Sequence, residues 1–153
     1  MTRRLVRRLR DTSGVNLVEA ALMTPLLLLL TLAIVDFAGV LYVYLALENG
    51  VSQASRYAVT GQQMEGFDRE ASIRTAMKRA TPTIQLTDAA FSFSHLPPGA
   101  TNWSAGSGGP NDIGKVTVDY TWTLMTPLIR PFFEGGQVHF TVESAMKNER
   151  RFD

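Results

Sequence analysis

The spacing of apolar positions divides the chain into three regimes. From Val15 to Val35 there is no period to read, because almost every side chain is apolar; the interruptions are Asn16, Glu19, Thr24, Pro25 and Thr31. At about 1.5 Å per residue these positions make a helix of about 32 Å, close to the hydrocarbon thickness of a bilayer. A run this apolar has little use as a core helix in a chain of 153 residues. The pattern predicts a transmembrane helix over 15–36. Past Asp36 a period emerges: Val40, Tyr44, Leu47, Val51, Ala54 and Ala58 recur at steps of four and three, with Glu48, Asn49, Ser52, Gln53, Arg56 and Thr60 on the opposite face. That is helical spacing. The helix should therefore continue as an amphipathic extension over 37–60 and stop at Gly61. Pro25 lies inside the apolar run and has no amide to donate, so a kink is expected there. Membrane helices tolerate such a residue better than soluble ones.

The remaining segment, 61–153, reads as a small head. "DREASIRTAMKRA" (68–80) places Ile73, Met77 and Ala80 on one face of a short helix that Pro82 ends. The period then falls to two. "AAFSFSHL" sets Ala89, Phe91, Phe93 and His95 on one side; "KVTVDYTWTL" does the same with Val116, Val118, Tyr120, Trp122 and Leu124; "QVHFTVESAM" repeats it with Val138, Phe140 and Val142. An antiparallel sheet of about three strands with one covered face is expected. The fold class is thus α+β: a long N-terminal helix followed by a head with one short helix and a sheet. Between the strands, 97–115 is rich in glycine, proline and serine and reads as an irregular surface connection. "TPLIRPFFEGG" (126–136) sets Leu128, Ile129, Phe132 and Phe133 between prolines and paired glycines. It could cover the sheet edge or form a partner-binding lip; covering is the expectation.

Charge follows the same division. Residues 1–14, a basic leader, hold five arginines (Arg3, Arg4, Arg7, Arg8, Arg10) against Asp11, a sum of +4. The whole chain is +1, which leaves −3 from Val15 onward. Arginines at one end of a span hold that end in the cytoplasm, so the head should be extracytoplasmic. The basic end is read as a topology signal, and no nucleic-acid partner is expected. The chain has no cysteine, which excludes disulfides, thiolate metal sites and a cysteine nucleophile.

Little else points to chemistry. His95 and His139 have no neighbour at metal-ligand spacing, the GSGG of the long loop lacks the lysine-serine of a phosphate loop, and Asp119 and Glu143 read as outer-face strand residues. No catalytic residue, metal ligand or cofactor is expected. Glu19 is different. An ionised side chain inside a bilayer is costly, by about 2.5–3.5 kcal/mol near the centre and less near the interface. No lysine or arginine occurs between Arg10 and Arg56, so the span supplies no counter-ion. A new amino terminus at Val15 would be one.

An arginine-rich leader, Gly14, and then Glu19 at the fifth position of an apolar helix resemble the processing site of type IV pilin-like proteins. In more detail, the stretch from Val15 to Gln62 is similar to the opening of TadE-like proteins: a Val-Glu-Ala start (18–20), a Pro-Leu-Leu-Leu run (25–28), the acid-aromatic pair Asp36-Phe37, and Arg56-Tyr57-Ala58 near the helix end. The tail "SAMKNER" also resembles the family's ending, while the middle of the head hardly does. The resemblance implies cleavage by a prepilin peptidase between Gly14 and Val15, on the cytoplasmic side. It implies that Glu19 pairs with the amino terminus of a neighbouring subunit during assembly. It further implies a minor pilin or pseudopilin of tight-adherence (Flp-type) pili in the bacterial inner membrane. Its partners would be the peptidase, a major pilin and other minor pilins, the assembly platform and membrane lipid. The alternative is an unprocessed, signal-anchored extracytoplasmic binding module. A secreted domain cut after Ser52-Gln53-Ala54 is a further rival, opposed by the length of the apolar run.

Overall fold

The computed structural model describes residues 13–150; most of the basic leader lies outside the described residues. One helix, α1 (Ser13–Val59), runs through the apolar run and the amphipathic extension without a break. Its end is set by Gly61, whose positive φ of 68° turns the chain and whose N–H donates to Ala58 O at 3.1 Å. The short helix α2 (Arg69–Ala80) begins where expected, with Asp68 as N-cap accepting from the Ala71 amide at 2.6 Å. The sheet follows: β1 (Phe91–Leu96), β2 (Ser104–Ala105), β3 (Ile113–Thr123) and β4 (Gln137–Lys147), antiparallel in the order β2-β1-β3-β4. Four strands are present rather than about three; the extra one is two residues long, formed where Ser94 and His95 pair with Ala105 and Ser104. β3 starts at Ile113, inside the segment read as loop.

The head is two layers, helices over sheet. Alternation in β3 puts Val116 and Val118 into the core, where Val142 of β4 and Phe91 of β1 meet them. From the helical side come Val43, Leu47, Val51, Ala54 and Ala58 of α1 with Ile73 and Met77 of α2. The buried stripe of α1 differs from the expected one at two positions, since Val40 is only half-buried and Val43 stands in for Tyr44. Val43 is buried and Tyr44 is 42% exposed, its ring only touching Phe140 at 6.2 Å between centroids. On α2 it is Ser72, not Ala80, that joins Ile73 and Met77 inside, and Ala89 lies in an exposed turn before β1. The two helices cross closely at Gly50: a Cβ there would stand 2.5 Å from Thr81 Cγ2 and 3.1 Å from Met77 Cε.

Polar ties close the end of the head far from the apolar run. The guanidinium of Arg69 donates to Ala58 O at 2.9 Å and to Gly108 O, joining the end of α1 to the glycine loop. Burial pulls its pKa below the usual arginine value, against the opposing charges of Asp112 and Glu70. Asn148, 3% exposed, donates to Gly109 O at 2.9 Å, and the Glu149 amide reaches Val59 O at 3.1 Å. His95 sits here, its Nδ1 3.2 Å from Gly106 O and its Nε2 3.9 Å from Asp112. His139 lies on the outer face beside Thr121 and Asp119, and Glu143 pairs with Lys115 at 3.2 Å.

The segment 126–136 corrects the expectation that it covers the sheet edge. It is the connection between neighbouring strands β3 and β4, at the tip of their hairpin, and its apolar side chains point outward: Leu128, Phe132 and Phe133 are exposed, as is Met125 just before it.

Candidate functional site: the exposed half of the long helix

The first half of α1 is almost wholly exposed. From Gly14 to Val35 every residue is exposed except Leu29, Leu32 and Ala33, which are intermediate. Leu17, Leu22 and Leu27 are 74, 70 and 65% exposed. A soluble core helix would hide such residues against the rest of the chain. Among the described residues, α1 is the one helix long and apolar enough to cross a membrane.

The residues singled out by sequence fall at the free end of this half-helix. Gly14 and Val15 lie in the first turn, and nothing stands within 4 Å of where a Cβ on Gly14 would be. Glu19 is exposed, one turn beyond Val15 on the same face, since residues four apart on a helix are neighbours. None of the ion pairs among the described residues includes it. Pro25 sits within the unbroken helix, where it cannot donate to the carbonyl four residues back. Thr31 turns its hydroxyl inward onto Leu27 O at 2.8 Å, which removes a polar group from the apolar surface.

Sequence reasoning did not find how this half-helix is fixed to the head. Asp36 is the first buried residue of α1, 2% exposed. Its carboxylate accepts from the Met125 amide at 2.8 Å and the Thr126 amide at 3.0 Å, at the start of the hairpin tip. A buried charge needs such donors to be stable. Phe37, the other member of the acid-aromatic pair, faces outward at 68% exposed. One turn on, Gly39 leaves room for Trp122: the indole comes to 3.6 Å from where a Cβ would be. The available signal was a lone carboxylate with no cation at helical spacing, but its partners are backbone amides 89 and 90 residues away.

The comparison with protein families bears on this region. Residues 14–56 match the family model described as TadE-like protein. The TadE-like segment thus starts at Gly14 and takes in the whole exposed half, Asp36, and the buried stripe as far as Arg56. It suggests a protein associated with the Tad pilus and a helix consistent with a membrane anchor. No curated protein and no solved structure matches the chain. Among the described residues no cluster of three or more histidine, aspartate or glutamate side chains could hold a metal ion.

Proposed function

We propose that the chain is a minor pilin or pseudopilin of tight-adherence pili, matured by a prepilin peptidase that cuts between Gly14 and Val15. The observation that carries the reading is the largely exposed apolar half-helix that opens the TadE-like segment. Such a surface requires either lipid or the apolar helices of other subunits. Burying one leucine side chain is worth about 1.5–3 kcal/mol, so the transfer from lipid into a helix bundle is governed by packing and by the few polar groups. Glu19 is the polar group with the largest stake. After cleavage the Val15 amine would lie one turn away, about 6 Å along the axis, on its own or a neighbouring subunit. A carboxylate and an ammonium in that position neutralise each other in a medium that penalises both.

In this reading the leader stays cytoplasmic, the head is extracytoplasmic of the inner membrane, and the protein acts by assembly rather than by catalysis. Partners are the peptidase, the major and other minor pilins, and the assembly platform. The test is the mass and N-terminal sequence of the membrane-extracted protein, made with and without a prepilin peptidase. Val15 at the N-terminus only in the presence of the peptidase is expected. Glu19→Ala should still be cut but should fail to co-assemble with pilins. An intact leader in the presence of active peptidase, with Glu19→Ala behaving as wild type, would favour the signal-anchored binding module instead.

A further inference from the structure

The hairpin tip between β3 and β4 is built in an unusual way. Its backbone is tied down by its own hydrogen bonds: Ile129 N–H to Thr126 O at 3.1 Å, Phe132 N–H to Ile129 O at 3.0 Å, and Leu124 N–H to Gly136 O at 3.1 Å. Arg130 Nε donates to Leu124 O at 2.8 Å, and its stem lies over Gly136, where a Cβ would come within 2.9 Å. The backbone hydrogen bonds and the buried Thr126 therefore occupy the inside of the tip, Ile129 is half-buried, and most of the apolar side chains are outside with the exposed Arg130. Met125, Leu128 and Phe132 are 64, 64 and 80% exposed. From Met125 to Phe133 the single charge is Arg130. A surface loop meeting only water would show the reverse arrangement.

Its position is fixed as well as its shape. The two hydrogen bonds to Asp36 hold the start of the tip level with the residue that ends the apolar run. Val35 and Phe37, on either side of Asp36, are exposed, so apolar side chains flank the point where the tip is tied to the helix. If residues 15–35 fill the hydrocarbon, about 32 Å of helix, the tip lies at the outer boundary of the bilayer.

We infer that the 125–133 tip docks into the membrane interface beside the helix, with Leu128, Phe132 and Met125 in the acyl boundary and Arg130 among the phosphates. This rests on the membrane reading above and adds a second, monotopic contact to the anchor. Phenylalanine and leucine inserted to about 5–10 Å, with a cation at headgroup level, is the recurring chemistry of interfacial binding. The tip would fix the tilt and rotation of the head over the membrane, which a single helix leaves free.

The absence of native cysteine allows a direct test on the full-length chain. Single substitutions Leu28→Cys, Leu128→Cys, Phe132→Cys and Ala100→Cys carry a spin label in nanodiscs of phosphatidylethanolamine with a minority of phosphatidylglycerol, one protein per disc. Collision with oxygen and with a water-soluble nickel chelate then reports depth. Labels at 128 and 132 should collide with the chelate several-fold less often than the label at 100, and the label at 28 least of all. Leu28 in lipid with 128 and 132 as wet as 100 would overturn the tip proposal and leave the anchor standing. Leu28 in water would overturn both. Protection of 128 and 132 that appears only in discs holding two copies would assign the tip to a second chain and reject lipid as its occupant.

Discussion

The two halves of α1 share one backbone and two different surroundings. Residues 14–35 are apolar nearly all round and exposed except at Leu29, Leu32 and Ala33. Residues 36–59 carry one buried stripe, Asp36, Val43, Leu47, Val51, Ala54 and Ala58; the opposite side still exposes Phe37, Leu41 and Leu45 and turns polar from Glu48 onward. A stripe is what a helix needs when one side meets a core and the other meets water. Uniform apolarity is what it needs when every side meets lipid or other helices. The change happens at Asp36, where the helix first meets the head.

The sharpest way to break this comparison is to make the same substitution in both halves. Leu47 is fully buried among the core residues of the head, so Leu47→Ala should cost about 2–5 kcal/mol of head stability. Leu28 is 57% exposed and outside the core cluster of the head, so Leu28→Ala should leave the head within about 0.5 kcal/mol of wild type. Both tryptophans, Trp103 and Trp122, lie in the head. Guanidinium titration of the full chain in nanodiscs, followed by their near-ultraviolet circular dichroism, reads the difference. Equal losses from the two substitutions would mean that the halves are not energetically separate.

Asp36 tests the junction itself, with a smaller expected effect. Asp36→Ala leaves the buried Thr126 amide and the half-buried Met125 amide without an acceptor, at a cost of about 1–3 kcal/mol. Hydrogen exchange at those two amides should accelerate, while the core amides of β3 slow or hasten only with global stability. Asp36→Asn keeps one oxygen acceptor and should fall between. Unchanged exchange at both amides would show that the carboxylate does not hold the tip.

Much of this architecture was legible in the sequence, and what was not has identifiable reasons. The apolar run follows from composition, and the helix continuation to Gly61, α2 and the facing of β3 and β4 follow from periodicity, all of it local information. Steps of three and four permit either 43 or 44 in the stripe, and the fold buries Val43 while Tyr44 stays exposed. The two-residue β2 has no period to display. The outward display of Leu128 and Phe132 was misread because apolar residues between prolines usually mean burial. Their exposure depends on backbone ties inside the tip, which composition does not reveal. At the site, Asp36 is visible in the sequence as half of the acid-aromatic pair, but its hydrogen-bond partners are not, because they lie on the far side of the sequence.

The smallest expected effect lies away from both halves of α1 and serves as the baseline for the comparison. Lys78 of α2 reaches Asp88, in the turn before β1, at 2.6 Å. That hydrogen bond, and then the charge of Lys78, hold the Asp88 carboxyl below its ordinary value of 3.8. A carboxylate whose pKa falls on folding stabilises the fold above its unfolded pKa, and the gain disappears as pH drops through the folded one. The difference in unfolding midpoint between wild type and Asp88→Asn should therefore be constant near neutral pH and shrink below 3.8. Asp88 is 72% exposed, so added salt should shrink it too. Leu28→Ala and Leu47→Ala should each show the same pH-dependent increment, because neither touches this pair. A difference that widened on acidification would reverse the sign of the linkage and exclude the Lys78 contact as its source.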